Sequence, residues 1–449
     1  MATREELRKL YKDLRPDVPL EPGSEFYEPI YTEHPELGLE DPVSRMATLV
    51  EFDGIESVRL FSGFRGSGKT TELKRLKRDL EADGYVVLYA DALDYVNAVE
   101  PIDIAELLLA LAGAFGEAVE REFGKDIHRE SIWDRTLRFL RTDVAATEVA
   151  LKAEVGVPGA LKVGADLKFA LRAASSFKLK LQQLLASRLR ELKEDVDAFF
   201  EEGVKAIRAS RGRDVRIVFI FDSLEQLRGT LQNEQAVIQS VERVFASHFD
   251  TLRFPYIHTV YTVPPWLKFV LPNTVQITLL STVHLWNNDE ARSHCKPAWD
   301  AFRSAVRRRF GDAGAAVLFG DDHAQQIDRL IGCCGGHFRD LLRLLQDTVV
   351  RATSSLAGDP AARVTEAINA ARRDFLPVAV EDARWLARIG EHRETLLPDT
   401  DAETVNRLTR FLDCHAVLYF VNGDEWYDTH PLIRQEVADV VAKNPVQRD

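Results

Sequence analysis

The feature that most constrains the fold of this chain is a glycine-rich loop between an apolar run and a helical pattern. The loop fits the spacing G-x-x-x-x-G-K-[ST] with the run Gly63-Phe64-Arg65-Gly66-Ser67-Gly68-Lys69-Thr70. The segment before it, SVRLFSG, is mostly apolar, which predicts a buried strand. After it, Leu73, Leu76 and Leu80 are spaced as one face of a helix that stops at Gly84. The chain is therefore expected to fold here as strand, tight loop and helix in succession.

A loop of this kind can hold phosphate groups. Its glycines let backbone N–H groups turn toward phosphate oxygens, and the helix N-terminus adds partial positive charge. Lys69 would reach the β- and γ-phosphates, and the Thr70 hydroxyl would ligate magnesium. The alternative is a tight turn with an incidental lysine. The predicted binding residues are Gly63, Phe64, Arg65, Gly66, Ser67, Gly68, Lys69, Thr70 and Thr71.

A second apolar run, residues 215–221, is interrupted only by Arg216 and is followed by Asp222. A continuous apolar run is typical of a central parallel strand that is buried on both faces. Asp222 at its end would hold the hydration shell of the magnesium, so Thr70 and Asp222 are the predicted metal residues. Glu225 could polarise the attacking water or could instead cap the following turn.

The loop at residues 63–71 and the segment IFDSLEQL resemble the additional-strand P-loop ATPases, the AAA+ and STAND group. The resemblance implies an α/β fold with a parallel sheet, bound ATP and Mg²⁺, and a strand between those that bear the two motifs. Residues 85–96, 255–267 and 273–286 are the predicted further strands. In this family the second of these ends in a polar residue that touches the γ-phosphate. Thr262 occupies that position, unless it is only a strand-end threonine before the Pro-Pro turn.

The segment IGCCGGHFRDLLRLLQDTV, residues 331–349, resembles the lid-helix signature of the origin-recognition and STAND branches. There a glycine pair precedes a helix that carries an arginine aimed at the nucleotide. Arg339 would be that arginine here, and Arg343, one turn later, is its rival. A guanidinium suits phosphate contact because its donors form a rigid fork.

Ring-forming AAA+ proteins also carry a finger arginine near the end of the strand that follows Thr262. This chain has no arginine between Arg253 and Arg292. A finger arginine contributes roughly 10³ to 10⁵ in rate, so its absence favours a slow switch over a motor. The run Arg307–Arg309 could substitute, but three consecutive arginines are more often a solvated helix face.

Four segments are predicted along the chain: an extended N-terminal segment (1–42), a P-loop core (43–286), a helical lid (287–375) and a winged-helix-like domain (376–449). The core contains an insert at about residues 100–212. Within it we expect a β-hairpin with its turn at Pro158-Gly159, followed by one long amphipathic helix over residues 177–209. The hairpin is either covered by the helices of the insert or part of a docking or oligomerising arm at residues 149–209; a membrane-inserting hairpin is the remaining alternative.

The last segment has the pattern helix, helix, hairpin and helix, with the hairpin turn at Asn422-Gly423, which resembles a winged helix. DNA recognition would require basic groups on the second helix and the wing. The second helix has only Arg407 and Arg410 among acidic neighbours, and the wing is acidic. We therefore expect a packing or regulatory module, and the segment HPELGLEDPVSRM before the core could supply contacts to adenine.

The charged residues sum to 58 − 71 = −13, with a pI near 5.5. This balance argues against broad contact with nucleic acid. The N-terminus has no apolar signal segment, no apolar run is long enough for a membrane span, and four cysteines without metal-ligand spacing suggest a reducing, cytoplasmic setting.

The expected function is a molecular switch that binds ATP and hydrolyses it slowly. Relatives of this design often serve signalling or anti-phage defence together with a separately encoded effector, so a protein partner and a regulatory ATPase role are expected. Two alternatives stay open: an origin-recognition-like ATPase that binds or loads onto DNA, and an oligomeric nucleotide-binding scaffold with negligible turnover.

Overall fold

The computed structural model describes residues 3–124, 132, 135, 136, 172, 178, 181–183, 185, 187–230, 232–272, 274–354, 358–399 and 402–445. The predicted β-hairpin around Pro158-Gly159 lies outside the described residues. Those residues that are described form two compact units, one comprising Met1–Pro42, Gly63–Lys74 and Leu279–Asp449, the other Val43–Ser62 and Arg75–Thr278. We call them the lid unit and the sheet unit. The predicted boundaries at residues 42, 286 and 375 stay predictions.

A five-stranded sheet organises the fold, which is α/β as predicted. Its strands are β1 (Ser57–Gly63), β2 (Val86–Asp91), β3 (Ile217–Asp222), β4 (His258–Val263) and β5 (Ile277–Leu280). Their order in the sheet is β2-β3-β4-β1-β5. The pairs β2–β3, β3–β4 and β4–β1 are all parallel. β4 therefore lies between the strands that bear the glycine loop and Asp222, as the additional-strand resemblance implies.

The register brings the carboxyl ends of these strands to one edge of the sheet. Ser62 of β1 lies opposite Val263 of β4, and Phe221 of β3 lies opposite Tyr261, which is also in β4. Asp222 follows Phe221 and so lies level with Phe61, two residues before the end of β1. Two strand spacings separate β1 from β3, which is about 10 Å.

The α-helices with described bounds are α1 (Arg4–Asp13), α2 (Ile30–Glu33), α3 (Pro42–Phe52), α4 (Lys69–Ala82), α5 (Ile104–Phe123), α6 (Leu189–Arg211), α7 (Glu234–Ser247), α8 (Lys296–Phe319), α9 (His323–Cys334), α10 (Phe338–Arg351), α11 (Pro360–Arg373), α12 (Val380–His392), α13 (Ala402–Asp413) and α14 (Arg434–Lys443). A hairpin of β6 (Val417–Asn422) and β7 (Asp424–Thr429) separates α13 from α14. The predicted order of helix, helix, hairpin and helix is therefore present. None of the described helices combines the length and the hydropathy needed to cross a bilayer.

In the sheet unit, α5 and α6 pack with an aromatic cluster beside β3. The Phe200 ring stacks on Phe115 at 4.2 Å and on Phe254 at 4.0 Å between centroids. A Cβ added at Gly116 would lie 2.9 Å from the Phe199 ring, so a small residue is needed where the helices meet. Stacked rings contribute beyond the area they bury, and they fix how α6 lies against the sheet.

The single helix predicted over residues 177–209 is interrupted: the described residues 178, 181–183 and 185 are helical, but the helix breaks before Leu189. α6 begins at Leu189, and the preceding Arg188 has non-helical backbone angles, φ −124° and ψ 18°. The hydrophobic spacing of Leu181, Leu185 and Leu192 continues across this break, and all three are buried. Periodicity alone therefore could not reveal it.

In the lid unit, one apolar core joins the N-terminal segment to α8, α9, α10 and α11. It includes Leu14, Ile30, Phe302, Leu330 and Leu345, each at most 2% exposed. The N-terminal segment has no helix of more than one turn between α1 and α3, because its prolines interrupt helical hydrogen bonding. Its buried residues Leu14, Ile30 and Leu37 belong to this core, so the segment is a packed part of the unit.

Candidate functional site

The glycine loop leaves β1 and enters α4 through two residues with left-handed backbone angles. Gly66 has φ +91° and Gly68 has φ +100°, values that residues with a Cβ rarely adopt. A Cβ on Gly66 would also lie 2.6 Å from the Arg339 side chain, and a Cβ on Gly63 would lie 2.9 Å from the Leu280 carbonyl oxygen. Glycine is therefore required at 66 for two separate reasons.

Lys69 is the first residue of α4, and its ammonium lies against the loop. The residue is 4% exposed. Its Nζ donates to the carbonyl oxygens of Gly63 at 2.8 Å and Phe64 at 2.9 Å. The ammonium is thus held at the helix N-terminus, where the helix dipole already favours an anion. Thr70 follows in the first turn of α4, partly buried.

The hydroxyl of Ser67 supports the reading of this loop as a ligand cradle. Its Oγ is buried and has no hydrogen-bond partner among the described residues. A buried polar atom without a partner costs free energy unless a ligand or water satisfies it. Ser67 is the loop position immediately before Gly68, where backbone and side-chain donors of such loops meet phosphate oxygens. The donor set of the loop therefore fits a phosphate group.

Arg339 lies on this loop, whereas Arg343 does not. The Arg339 stem packs on Gly66, and its Nε donates to the Pro16 carbonyl oxygen at 3.3 Å. The Arg343 side chain is 65% exposed. Burial, together with the nearby Arg65 and Arg343 charges, lowers the pKa of Arg339. The lid unit therefore brings the cations Lys69, Arg65 and Arg339 to one loop, although the whole chain is acidic.

The N-terminal segment also lies against the first turns of α4, which the sequence analysis missed. The Leu20 N–H donates to Thr71 Oγ1 at 3.1 Å, and Tyr27 Oη donates to Glu72 Oε1 at 2.9 Å. Lys74 forms an ion pair with Glu21. Thr71, predicted among the nucleotide-binding residues, therefore has its hydroxyl engaged by the segment at residues 16–27. Contacts between adenine and the predicted segment HPELGLEDPVSRM stay a prediction.

Arg308 and Arg309, two of the three consecutive arginines on α8, also hold this segment, although Arg308 is exposed as Arg307 is. Arg308 Nε donates to Glu28 Oε2 at 2.7 Å. The Arg309 guanidinium lies 5.7 Å from the centre of the Phe26 ring, and burial lowers the pKa of Arg309 to about 10. The run anchors the N-terminal segment, because the side chains of Glu28 and Phe26 offer a charge and a ring face to it.

In the sheet unit, Asp222 is fully buried at the end of β3. Its Oδ2 accepts a hydrogen bond from Tyr89 Oη at 2.5 Å, and its Oδ1 accepts one from the Ser223 N–H at 2.7 Å. Burial and the Asp222 charge raise the pKa of Tyr89, so the phenol stays a donor. Asp91 ends β2 opposite Asp222, and burial raises the pKa of Asp91. Tyr89 and Asp91 were not predicted from the sequence, although both lie in the predicted strand at residues 85–96.

Thr262 and Glu225 lie near the same strand end. Thr262 is buried, and its Oγ1 accepts a hydrogen bond from the Leu224 N–H at 3.1 Å. Glu225 follows in a single 3₁₀ turn, Leu224–Gln226. The Thr262 hydroxyl therefore fixes the turn that carries Glu225. A contact between Thr262 and a γ-phosphate stays a prediction, as does the catalytic role of Glu225.

Comparisons with known proteins give little beyond a distant likeness. No protein-family model matches the chain, and no curated protein matches it. Among solved structures, the Aeropyrum pernix ORC2 protein is similar at 11% identity and a TM-score of 0.39, over 97% of this chain and 98% of that one. Cdc6p from Pyrobaculum aerophilum is similar at 12% identity and a TM-score of 0.34, over 95% and 99% of the two chains. Because these scores are low, the fold assignment rests on the strand order and register above.

Proposed function

We propose that this chain is an ATP-binding switch of the AAA+/STAND type that hydrolyses ATP slowly. The observation that supports this most is the loop itself: left-handed glycines, a buried Lys69 at the start of α4, and Arg339 packed on Gly66. A loop that gathers three cations at a helix N-terminus suits a polyanion. A nucleoside triphosphate fits this combination because its phosphates need both backbone N–H donors and fixed cations.

Magnesium would be held by the Thr70 hydroxyl and by Asp222 through water. When bound, it would neutralise charge that develops on the phosphates. The chain itself contributes a buried carboxylate whose two oxygens are oriented by Tyr89 and by the Ser223 N–H. Glu225 would orient and deprotonate the attacking water from the turn that Thr262 fixes.

Slow turnover and a switch role follow from two features. The strand after Thr262 lacks a finger arginine, since no arginine lies between Arg253 and Arg292. Arg339 belongs to α10 and packs on Gly66 of the loop, so it can respond to a γ-phosphate there. A ligand shifts a conformational equilibrium only by its different affinity for the two states, and Arg339 would supply that difference.

The biological setting belongs to the same proposal. We infer a regulatory ATPase subunit that acts on a separate protein effector, in signalling or defence against phage, with assembly through residues 149–209. DNA binding is the less favoured reading. Arg407 on α13 donates to Asp382 at 2.6 Å and lies 5.4 Å from the Trp385 ring centre. That guanidinium is used in packing, so it is poorly disposed to contact phosphate.

Phosphate release tests the proposal. With MgATP, wild type should release phosphate slowly. Glu225→Gln should reduce this rate about 100-fold because the attacking water loses its base. The ATP affinity of the variant should stay within about twofold of wild type. Arg228→Gln, an exposed change just beyond the same turn, serves as the control and should leave the rate unchanged. If wild type binds ATP but neither it nor Glu225→Gln releases phosphate, the protein is a scaffold driven by binding alone.

A further inference from the structure

Three buried histidines surround one carboxylate in the lid unit. Asp340, in the first turn of α10, has its Oδ2 atom 2.9 Å from His337 Nδ1, 3.2 Å from His415 Nδ1 and 3.7 Å from His430 Nε2. His337 is 1% exposed, His415 8% and His430 0%. None of these residues is assigned a role in the proposed ATP site. A concentration of imidazoles around a buried carboxylate therefore needs its own explanation.

The geometry resembles that of ligands around one metal ion. Bonds of about 2.0–2.1 Å at tetrahedral angles separate neighbouring ligand atoms by roughly 3.3 Å. One ring nitrogen from each of His337 and His415 and a carboxylate oxygen of Asp340 lie within 4.8 Å of one another. The distances from Asp340 Oδ2 to the two Nδ1 atoms, 2.9 and 3.2 Å, lie near that separation.

Ordinary hydrogen bonding does not account for all of these nitrogens. Both ring nitrogens of His337, and Nε2 of His415, are buried without a hydrogen-bond partner among the described residues. His337 Nδ1 approaches Asp340 Oδ2 to 2.9 Å without forming a well-directed hydrogen bond. Of the two Nδ1 atoms, only that of His415 makes a hydrogen bond to Asp340 Oδ2, and a metal ion between the ligand atoms would satisfy the lone pairs that remain.

His430 lies beside the carboxylate but does not complete the ligand set. Its Nδ1 accepts a hydrogen bond from the Leu432 N–H at 3.3 Å, so its proton is on Nε2, which faces Asp340 Oδ2. A protonated ring nitrogen cannot ligate a metal, and at 3.7 Å it makes no hydrogen bond to the carboxylate. The ligand set is therefore two imidazoles and one carboxylate.

We propose that His337, Asp340 and His415 bind one divalent transition-metal ion of the Zn²⁺ type. Hard cations such as Mg²⁺ and Ca²⁺ prefer all-oxygen sites, whereas two imidazoles with a carboxylate suit Zn²⁺, with water in the fourth position. The backbone of His415 is held at φ +61°, an uncommon conformation for a residue with a Cβ. Uncommon backbone conformations of this kind cluster at ligand-binding and other functional sites.

The proposed metal site lies where two separate segments of the lid unit meet. His337 immediately precedes α10, and Arg339 lies between His337 and Asp340 in the sequence. His415 lies just before β6, and its ring makes an edge contact with Phe64 of the glycine loop, 5.6 Å between centroids. An ion would therefore fasten the start of α10 to the segment that precedes β6. Its binding does not depend on ATP, so it can be tested without any assay of nucleotide.

The test uses the full chain after removal of metal with a chelator. Titration with Zn²⁺ should give one ion per chain, and Co²⁺ in its place should give the visible d–d bands of a tetrahedral site. Asp340→Asn and His415→Gln should each weaken Zn²⁺ binding at least about 100-fold. His392→Gln, which changes an exposed histidine of the same unit, should bind as wild type does.

Three results would overturn the proposal: no stoichiometric binding by wild type, Co²⁺ bands of an octahedral ion, or equal affinity in wild type and both ligand variants. Absence of stoichiometric binding by wild type would mean that the histidines and Asp340 interact only through hydrogen bonds. Asp340→Asn keeps the side-chain volume, and circular dichroism of each metal-free variant separates lost ligation from lost folding. Should one variant fail to fold, the affinity of the other decides.

Discussion

Among single residues, Gly66 is where the backbone and the candidate site constrain each other most tightly. Its φ of +91° and the 2.6 Å approach of the Arg339 side chain to a built Cβ act together. Gly84 lies just after the end of α4, the helix that follows the glycine loop. It has φ +88° with nothing near its Cβ position. The two glycines thus share backbone strain but differ in crowding.

Replacement of both glycines separates these effects. Gly84→Ala should lower the free energy of unfolding by about 1–2 kcal/mol, since only the left-handed backbone is penalised. Gly66→Ala should cost a further 1–3 kcal/mol, roughly, because Arg339 must move. Urea unfolding measures both. Equal losses in the two variants would mean that Arg339 does not pack on the loop in solution.

Arg339 and Arg343 form a natural pair for testing which guanidinium serves the nucleotide. Arg339 is partly buried on the loop, whereas Arg343 is exposed one turn later. Arg339→Ala should weaken ATP binding about tenfold or more while leaving ADP binding nearly unchanged, since the γ-phosphate loses a charged donor. Arg343→Ala should change neither. A larger effect from Arg343→Ala, measured by calorimetry, would reverse the assignment.

Among elements, the strands were the most predictable from sequence and the contacts between distant segments the least. The apolar runs before the glycine loop and before Asp222 each became a strand, because continuous burial leaves a local signature. The break at Arg188 was missed because hydrophobic spacing runs through it. The bond from Leu20 to Thr71 had no local signal, since it joins residues far apart in the chain. Around Asp340 only His337 is close in sequence, three residues away, whereas His415 and His430 are distant.

The end of β2 supplies the clearest prediction at this scale. Tyr89 Oη donates to Asp222 at 2.5 Å, and Tyr95 Oη donates to Glu117 at 2.7 Å. Tyr89→Phe and Tyr95→Phe each remove one charge-assisted hydrogen bond and should destabilise the fold by about 1.5–3 kcal/mol.

Only Tyr89→Phe should also slow phosphate release, by about tenfold, because Asp222 is then less firmly oriented toward the magnesium. Phosphate release at saturating MgATP, measured alongside urea unfolding, distinguishes the two variants. If both variants slow release equally, general loss of stability explains the effect and Tyr89 has no positioning role.

On the scale of the whole molecule, the distribution of charge between the glycine loop and the rest of the chain is the relevant feature. The chain carries a net charge of −13, yet its glycine loop gathers Lys69, Arg65 and Arg339. Three cations therefore lie where a polyanionic ligand would bind, whereas the acidic balance of the whole chain is unfavourable for broad contact with nucleic acid. Each compact unit contributes to the proposal separately: the loop and Arg339 lie in the lid unit, and Asp222 in the sheet unit.

The central claim is that the glycine loop binds the phosphates of ATP, and isothermal titration of the full chain with MgATP tests it most directly. Wild type should bind one ATP per chain, and Lys69→Ala should bind at least about tenfold more weakly, since the loop loses its ammonium. Lys9→Ala, an exposed change in α1, should bind as wild type does. No binding by wild type, or equal binding by wild type and Lys69→Ala, would contradict the account.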